Sequence, residues 1–159
     1  MRAMSTKPLF VSGWEVAGIR SAEKFFSAVS NVLPLPVYLC FEGTRISSEV
    51  RALLASSAVA ATLQIPPGTI WPKSSVFHVL ATELFLQELA VLAGRHSESE
   101  VCDHFHAYNN GHGLMQWYDA FDLPLLIDES IPKESLQAFC RKLDVQCARW
   151  HAIEKSAGN

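Results

Sequence analysis

The densest group of chemically capable side chains in the sequence is the run Cys102-Asp103-His104-Phe105-His106. An imidazole transfers protons near neutral pH or binds a metal ion, and a nearby carboxylate supports either role. Side chains alternate between the two faces of a strand, so a strand over 101–108 places His104 and His106 on one face. This His-x-His pattern is therefore the first candidate for a site of chemistry.

A second aromatic-rich run, Gly113–Asp119, follows this candidate strand after Asn109-Asn110-Gly111-His112. Asn-Gly between two such runs predicts a two-residue type I′ hairpin turn, because both central residues of that turn need positive φ. The register pairs expected across this hairpin are His106 with Met115, His104 with Trp117, and Cys102 with Asp119. The resulting hairpin face combines two histidines with a tryptophan and a carboxylate.

Three interpretations of the hairpin face stay open. The histidines pack, half exposed, beside Trp117; or they bind a metal ion; or they transfer protons or recognise a partner together with Asp119. Two histidines are few ligands for a structural ion, and a chain of this length folds without one, so we expect no metal and no cofactor. If the chain is an enzyme, a small hydrolase or isomerase, its candidate catalytic residues are His104, His106, Asp119, Glu42 and His78.

Glu42 and His78 join that set from separate predicted strands. Glu42 follows the apolar strand Val37–Phe41, and α/β sheets place their sites at the carboxyl ends of strands. A glutamate at this point can equally cap a helix or face solvent. His78 lies inside the strand predicted over Ser75–Ala81, where a histidine is more often a core residue hydrogen-bonded to a neighbour.

The common catalytic and cofactor signatures do not occur in the sequence. Its eight glycines form neither G-x-G-x-x-G nor G-x-x-x-x-G-K, and no G-x-S-x-G or H-E-x-x-H pattern is present. The four cysteines include no C-x-x-C pair, and three of them lie in apolar runs. Buried free thiols are therefore predicted at Cys40, Cys102 and Cys140.

Composition and charge narrow the class of protein. Of the 159 residues, 49% are hydrophobic and 18% charged, which excludes a disordered chain. The formal net charge of −3 gives no electrostatic reason to expect nucleic acid or a membrane surface as a partner. Free cysteines and the lack of a secretory signal pattern or a long apolar stretch lead us to expect a cytoplasmic protein.

Apolar periodicity predicts one domain over residues 1–159, with frayed tails at 1–7 and 156–159. The expected fold class is α/β or α+β: a mixed β-sheet of about five strands with a central hairpin, packed by about four helices. Trp14–Ile19 is a candidate turn of helix, and Ala58–Ile65 a candidate short strand. The helices are expected from Ser21, over Ser47–Ser57, over Thr82–Ala93 and from Pro132.

The proline-rich loop Pro66–Lys73 carries Ile70 and Trp71 between its prolines. A stiffened loop of this kind can present an aromatic anchor to a partner, or it can fold back with Trp71 as a lid over the core. Just after the hairpin, the stretch Tyr118-Asp119-Ala120-Phe121-Asp122 combines two acids with two aromatic residues, a mixture that suits a recognition surface. The candidate partner-binding residues are Ile70, Trp71, Trp117, Tyr118 and Asp119.

Two stretches, Leu39-Cys40-Phe41-Glu42-Gly43-Thr44 and Trp117-Tyr118-Asp119-Ala120-Phe121, resemble small uncharacterised bacterial α/β proteins, some of which neutralise toxins. The resemblance transfers no catalytic residue and implies an immunity-type or adaptor protein. The leading hypothesis is a non-catalytic bacterial domain that binds another protein, with neither nucleic acid nor membrane as a partner. The alternative is the small hydrolase or isomerase of the hairpin face, and the oligomeric state is left open.

Overall fold

One seven-stranded antiparallel sheet organises the chain in a computed structural model, which describes residues 8–153. The strands are β1 (Ser12–Val16), β2 (Val37–Gly43), β3 (Ser75–Ala81), β4 (His104–Asn109), β5 (His112–Trp117), β6 (Leu125–Asp128) and β7 (Cys147–His151). Across the sheet their order is β3-β2-β4-β5-β6-β1-β7. The predicted mixed sheet of about five strands is thus corrected to seven antiparallel strands. The tails expected to fray lie outside the described residues.

Four helices accompany the sheet, in agreement with the predicted α/β class. They are α1 (Ala22–Ala28), α2 (Ser48–Ser56), α3 (Glu83–Ala93) and α4 (Lys133–Leu143). The hydroxyl oxygens of Ser21, Ser47 and Thr82 each accept a backbone N–H from the first turn of α1, α2 and α3, at 3.2–3.3 Å. These caps satisfy donors that a helix start otherwise leaves unpaired, so the three predicted helix starts are confirmed. Within the described part of the chain, no helix has the length and apolar character needed to cross a bilayer.

The segment predicted as a helical turn at Trp14–Ile19 begins instead with β1. This strand lies between β6 and β7, where Gly13 pairs with Asp128 on one side and with Trp150 on the other. A Cβ built on Gly13 would lie 1.9 Å from the carbonyl oxygen of Ile127, so the strands meet where only glycine fits. The prediction was wrong because the pairing partners of β1 lie more than 100 residues away.

The core lies between the helices and one face of the sheet, which we call the helix face. There the Phe25 ring of α1 contacts Phe105 of β4 and Trp117 of β5, with ring centroids 5.4 and 4.9 Å apart. All three side chains are at most 1% exposed. Because side chains alternate along β4, His104 and His106 point to the opposite face.

The hairpin register differs from the predicted one by a single residue. Asn110 and Gly111 do adopt the positive φ that the turn needs, at 50° and 72°. Between Ala107 and Tyr108, however, a β-bulge makes Leu114 an extra residue on β5, so that Phe105 rather than His104 pairs with Trp117. A one-residue slip moves every later side chain to the other face. The expected pairs of His106 with Met115, His104 with Trp117 and Cys102 with Asp119 are therefore wrong.

The second sheet face is covered by residues 60–74, which we call the cover loop. Just before the cover loop, Ala58 forms an isolated bridge with Val79, in place of the short strand expected over Ala58–Ile65. Farther along, the Tyr118 hydroxyl donates to the Pro66 carbonyl at 2.8 Å. The Tyr108 hydroxyl oxygen accepts the Thr62 N–H at 3.4 Å. The sheet is thus enclosed by helices on one face and by irregular chain on part of the other.

Candidate functional site

The candidate site is centred on Glu42 of β2 and His104 of β4, which are register partners. Both side chains point away from the helices, and both residues are buried, at 4% and 1% exposure. The Glu42 Oε2 and His104 Nε2 atoms are 4.0 Å apart. Two ionisable groups buried this deeply need polar partners, and the cover loop supplies them.

The Glu42 carboxylate is the attachment point of the cover loop. Its Oε1 accepts the Gly68 N–H at 2.8 Å, and its Oε2 accepts the Thr69 N–H at 3.1 Å. The Ser74 hydroxyl also donates to Oε2, at 3.1 Å. Hydrogen bonds to a charged carboxylate are roughly twice as strong as those between neutral groups. Glu42 therefore fixes two backbone positions and the far end of the loop.

His104 holds the middle of the same loop, and its hydrogen bonds define its tautomer. The Asp119 N–H donates to His104 Nδ1 at 2.9 Å, so in the neutral ring the proton lies on Nε2. Nε2–H then donates to Thr69 Oγ1, 2.7 Å away. A base that activates the Thr69 hydroxyl needs the opposite tautomer, with an unprotonated Nε2. This arrangement positions the loop and leaves His104 unable to accept the threonine proton.

Gly68 allows the loop to lie directly against the imidazole. A Cβ at this position would stand 2.6 Å from His104 Cδ2 and Nε2, closer than any real contact. Glycine is used where backbone must approach another group this closely. The loop and the ring are therefore packed together with no room for a substrate between them.

His106 is buried on the same face and is chemically quiet. It is 1% exposed, and within residues 8–153 neither of its ring nitrogens has a hydrogen-bond partner. Burial lowers the pKa of His106 to about 3, with smaller contributions from the nearby His104 and His78. Its ring packs against Tyr118 with centroids 4.6 Å apart. At neutral pH His106 is an uncharged packing residue rather than a general base.

His78 lies on β3, separated from the Glu42 and His104 pair. Its Nδ1 is hydrogen-bonded to the Tyr108 hydroxyl at 2.7 Å, and partial burial lowers its pKa. His78 is therefore hydrogen-bonded to a residue of a neighbouring segment, as expected from the sequence for a histidine inside a strand. Of the five candidate catalytic residues, Glu42 and His104 come together and Asp119 adjoins them. His106 lies on the same face without a hydrogen-bond partner, and His78 is bound to Tyr108 instead.

A cleft of about 530 Å³ opens beside His104, between the cover loop and the segment after β5. Trp71 lines it, as do four acidic residues and one basic residue: Glu98, Asp103, Asp119, Asp122 and Arg20. Asp119 Oδ1 lies 3.9 Å from His104 Nδ1. Glu42, His106 and His78 do not line this cleft, so only two of the five candidate catalytic residues meet there.

The candidate partner-binding residues divide sharply by exposure. Ile70 and Trp71 are 64% and 71% exposed, so Trp71 is not a lid over the core. Trp117 is 1% exposed and donates its Nε1–H to the Leu123 carbonyl at 2.7 Å, so its assignment to a binding surface was wrong. The bulge in β5 is the reason, because it turns Trp117 to the helix face. Tyr118 and Asp119 are half-buried beside the cover loop and the cleft.

Three residues that hold the cover loop were missed by reasoning from the sequence: Gly68, Thr69 and Ser74. The available signal was their chemistry, two hydroxyls and a glycine within a loop otherwise rich in prolines. Nothing local indicates that they meet Glu42, which precedes them by 26 or more residues.

The fold and the site define an antiparallel α/β domain with a hydrogen-bonded loop fixed over one sheet face. Within the described range, no group of three or more His, Cys, Asp or Glu side chains is arranged to hold a metal ion. Comparison of the chain with family models, with curated proteins and with solved structures gave no match.

Proposed function

We propose that this chain is a non-catalytic protein-binding domain of the immunity or adaptor type, which contacts its partner through Ile70 and Trp71. The single observation that carries the proposal is a large, adjacent apolar pair held outward by a loop whose base is fixed. Tryptophan is enriched among the residues that dominate binding energy at protein interfaces. Exposed aromatic anchors of this kind are typical of interaction sites.

The hydrogen bonds beneath the loop support this function. Gly68 and Thr69, which directly precede Ile70, are held by Glu42 and His104 at 2.7–3.1 Å. A loop ordered before binding loses less conformational entropy when the partner arrives. The buried polar pair then acts through the loop, as a positioning device for the exposed residues.

The cleft beside Trp71 indicates the chemistry of the partner. Its four acidic lining residues outnumber its one basic lining residue, which favours a cationic side chain entering from the partner. Trp71 is also a lining residue, and a tryptophan ring attracts a cation to its face. We therefore propose a partner protein that presents a lysine or arginine beside an apolar patch.

One observation favours the alternative, a small hydrolase or isomerase: His104 and Asp119 both line the cleft. Against it, the Nδ1 of His104 accepts a backbone N–H, Glu42 is occupied by the loop, and His106 binds a proton only at low pH. The polar atoms of His104 and Glu42 are thus engaged by the loop and by backbone N–H groups, and His106 is uncharged at neutral pH. The binding function therefore has the stronger support.

Affinity capture with matched variants tests the proposal. Wild type, Trp71→Ala and Leu84→Ala are each used as bait in lysate of the source organism, and the captured protein is then purified and its affinity measured. Leu84 is the control, because it is a similarly exposed apolar residue on α3, at 64%. We expect wild type and Leu84→Ala to bind alike and Trp71→Ala to bind at least tenfold more weakly.

Two outcomes contradict the proposal. One is a partner that binds Trp71→Ala as tightly as wild type. The other is a hydrolase or isomerase activity of the purified wild type that disappears in both His104→Ala and Asp119→Ala while each variant stays folded.

A further inference from the structure

A cavity of about 330 Å³ lies on the solvent side of the helices, between α2 and α3. Its lining, which we call the α2/α3 patch, consists of three apolar and two charged residues: Leu53, Val91, Leu92, Glu88 and Arg95. Leu53 and Leu92 are partly buried against the core, whereas Val91 is 62% exposed. The patch therefore combines an exposed valine with an adjacent apolar groove that can accept a similar side chain.

The two charged residues of the patch stand in symmetric positions on either side of its apolar centre. Glu88 lies three residues before Val91, and Arg95 lies three residues after Leu92. Both are exposed, and within residues 8–153 Glu88 forms no ion pair. Arg95 Nη1 lies 3.8 Å from Glu49 Oε2, an exposed pair of the kind that contributes little. Because a guanidinium has several N–H donors, Arg95 can bind a second carboxylate as well.

We propose that the α2/α3 patch is a contact surface for a second copy of this chain, with the two α3 helices antiparallel about a two-fold axis. An axis between Val91 and Leu92 brings Glu88 of each copy against Arg95 of the other. The same axis brings Val91 of each copy into the groove of the other, against Leu92. A two-fold interface requires this kind of self-complementary surface. The patch shares no residue with the proposed partner-binding surface, so the two proposals are independent.

Charge selects the direction of packing, and the size of the patch limits its strength. Parallel helices would set Glu88 against Glu88 and Arg95 against Arg95, and like charges facing each other disfavour association. The five lining residues are fewer than the ~20–30 residues that each side of a stable interface contributes. We therefore expect a weak, concentration-dependent dimer whose dissociation leaves the fold of each chain intact.

Sedimentation equilibrium over a series of protein concentrations tests the proposal, and circular dichroism checks that every variant is folded. We expect the mass of the wild type to rise from that of one chain toward that of two. Glu88→Arg and Arg95→Glu should each weaken self-association at least about tenfold, because the two-fold axis sets like charges opposite each other at two points. The matched control is Glu83→Arg, which makes the same charge change on α3 but in the groove beside α1. It should dimerise like the wild type.

The sharpest step of the test mixes the two charge-reversed variants. In a mixture of Glu88→Arg with Arg95→Glu, one chain carries arginine at both positions and the other carries glutamate at both. Each contact between the two chains then joins opposite charges again. We expect the mixture to associate about as tightly as the wild type, although neither variant does so alone. Both variants keep a negative net charge, so overall charge attraction does not account for such an association.

Several results overturn the proposal. The wild type can keep the mass of one chain at the highest concentration, or Glu88→Arg can dimerise as well as the wild type. A mixture of the two folded charge-reversed variants that fails to associate is equally contradictory. A wild type that stays monomeric but binds a different protein, and loses it in Glu88→Arg, would show that another occupant covers the patch.

Discussion

The two faces of the sheet use neighbouring residues for opposite purposes. On β4, Phe105 points to the helices and packs against aromatic rings, whereas His104 points to the cover loop and forms two hydrogen bonds. The helix face is built from apolar area, which is non-directional. The opposite face, which carries the cover loop and which we call the loop face, is built from directional hydrogen bonds. These bonds hold residues 68–74 in position.

This difference separates stability from positioning. Apolar burial on the helix face supplies most of the free energy of folding. Hydrogen bonds on the loop face contribute less in net terms, but they define where Ile70 and Trp71 stand. Substitutions on the two faces should therefore differ both in size and in which property they change.

The largest effect is expected from Phe105→Ala on the helix face. The ring is fully buried and contacts the Phe25, Phe26 and Phe41 rings. Its removal leaves a cavity and should lower the free energy of unfolding by ~3–5 kcal/mol. Urea denaturation measures this change. If Phe105→Ala loses less free energy of unfolding than a loop-face variant, the proposed difference between the two faces is wrong.

The loop face should make stability depend on pH through His106. Its pKa is about 3 in the folded chain and about 6.5 when unfolded, so folding disfavours the proton. The stability that depends on an uncharged His106 is fully present above pH 6.5, and it is lost as the pH falls toward 3. Between pH 7 and pH 5 the loss should be about 2 kcal/mol.

The matched variant for this prediction is His106→Phe, which keeps a ring against Tyr118 and cannot titrate. The free energy of unfolding is measured for both proteins at pH 7 and pH 5. The difference between their two pH-dependent losses is the part that comes from His106. If wild type and His106→Phe lose the same free energy of unfolding, the pH dependence does not come from His106.

An effect of similar size is expected from Glu42→Gln. The amide keeps the size of the side chain but replaces one acceptor oxygen with donors that face the Gly68 and Thr69 N–H groups. We expect a loss of ~2 kcal/mol in stability and faster hydrogen exchange of the cover loop. Glu88→Gln on α3 is the exposed control and should change neither. A cover loop that stays protected in Glu42→Gln would show that Glu42 does not hold it.

The hairpin tip lies outside both faces and provides a purely conformational comparison. Gly111 has a φ of 72°, and no atom lies within 4 Å of a Cβ built there. Gly111→Val should therefore cost ~1 kcal/mol through backbone strain alone. Thermal unfolding checks this, and no change in melting temperature would contradict the strained turn.

Local features of this fold could be predicted from the sequence. The caps Ser21, Ser47 and Thr82 and the bounds of β3 at Ser75–Ala81 depend on residues within a few positions of each other. The Asn110-Gly111 turn has the same local origin, as do the buried thiols of Cys40, Cys102 and Cys140 that apolar runs indicated. Such features follow from side-chain chemistry and periodicity alone.

Features that depend on distant segments could not be predicted. β1 is stabilised by β6 and β7, and the bulge at Leu114 is a property of the packed sheet. The same bulge moved Trp117 from the predicted binding surface into the core. The placement of His104 and His106 on one face was correct, but their cover by residues 60–74 is a long-range contact that no local pattern encodes.

We propose that the loop face positions Trp71 for a partner rather than for the core. The most direct test is Trp71→Ala, with its free energy of unfolding measured by urea denaturation. We predict a change within ~0.5 kcal/mol, as for exposed positions, together with a loss of ~2 kcal/mol in partner binding. A stability loss of ~3–5 kcal/mol, the value for a buried ring, would contradict the account.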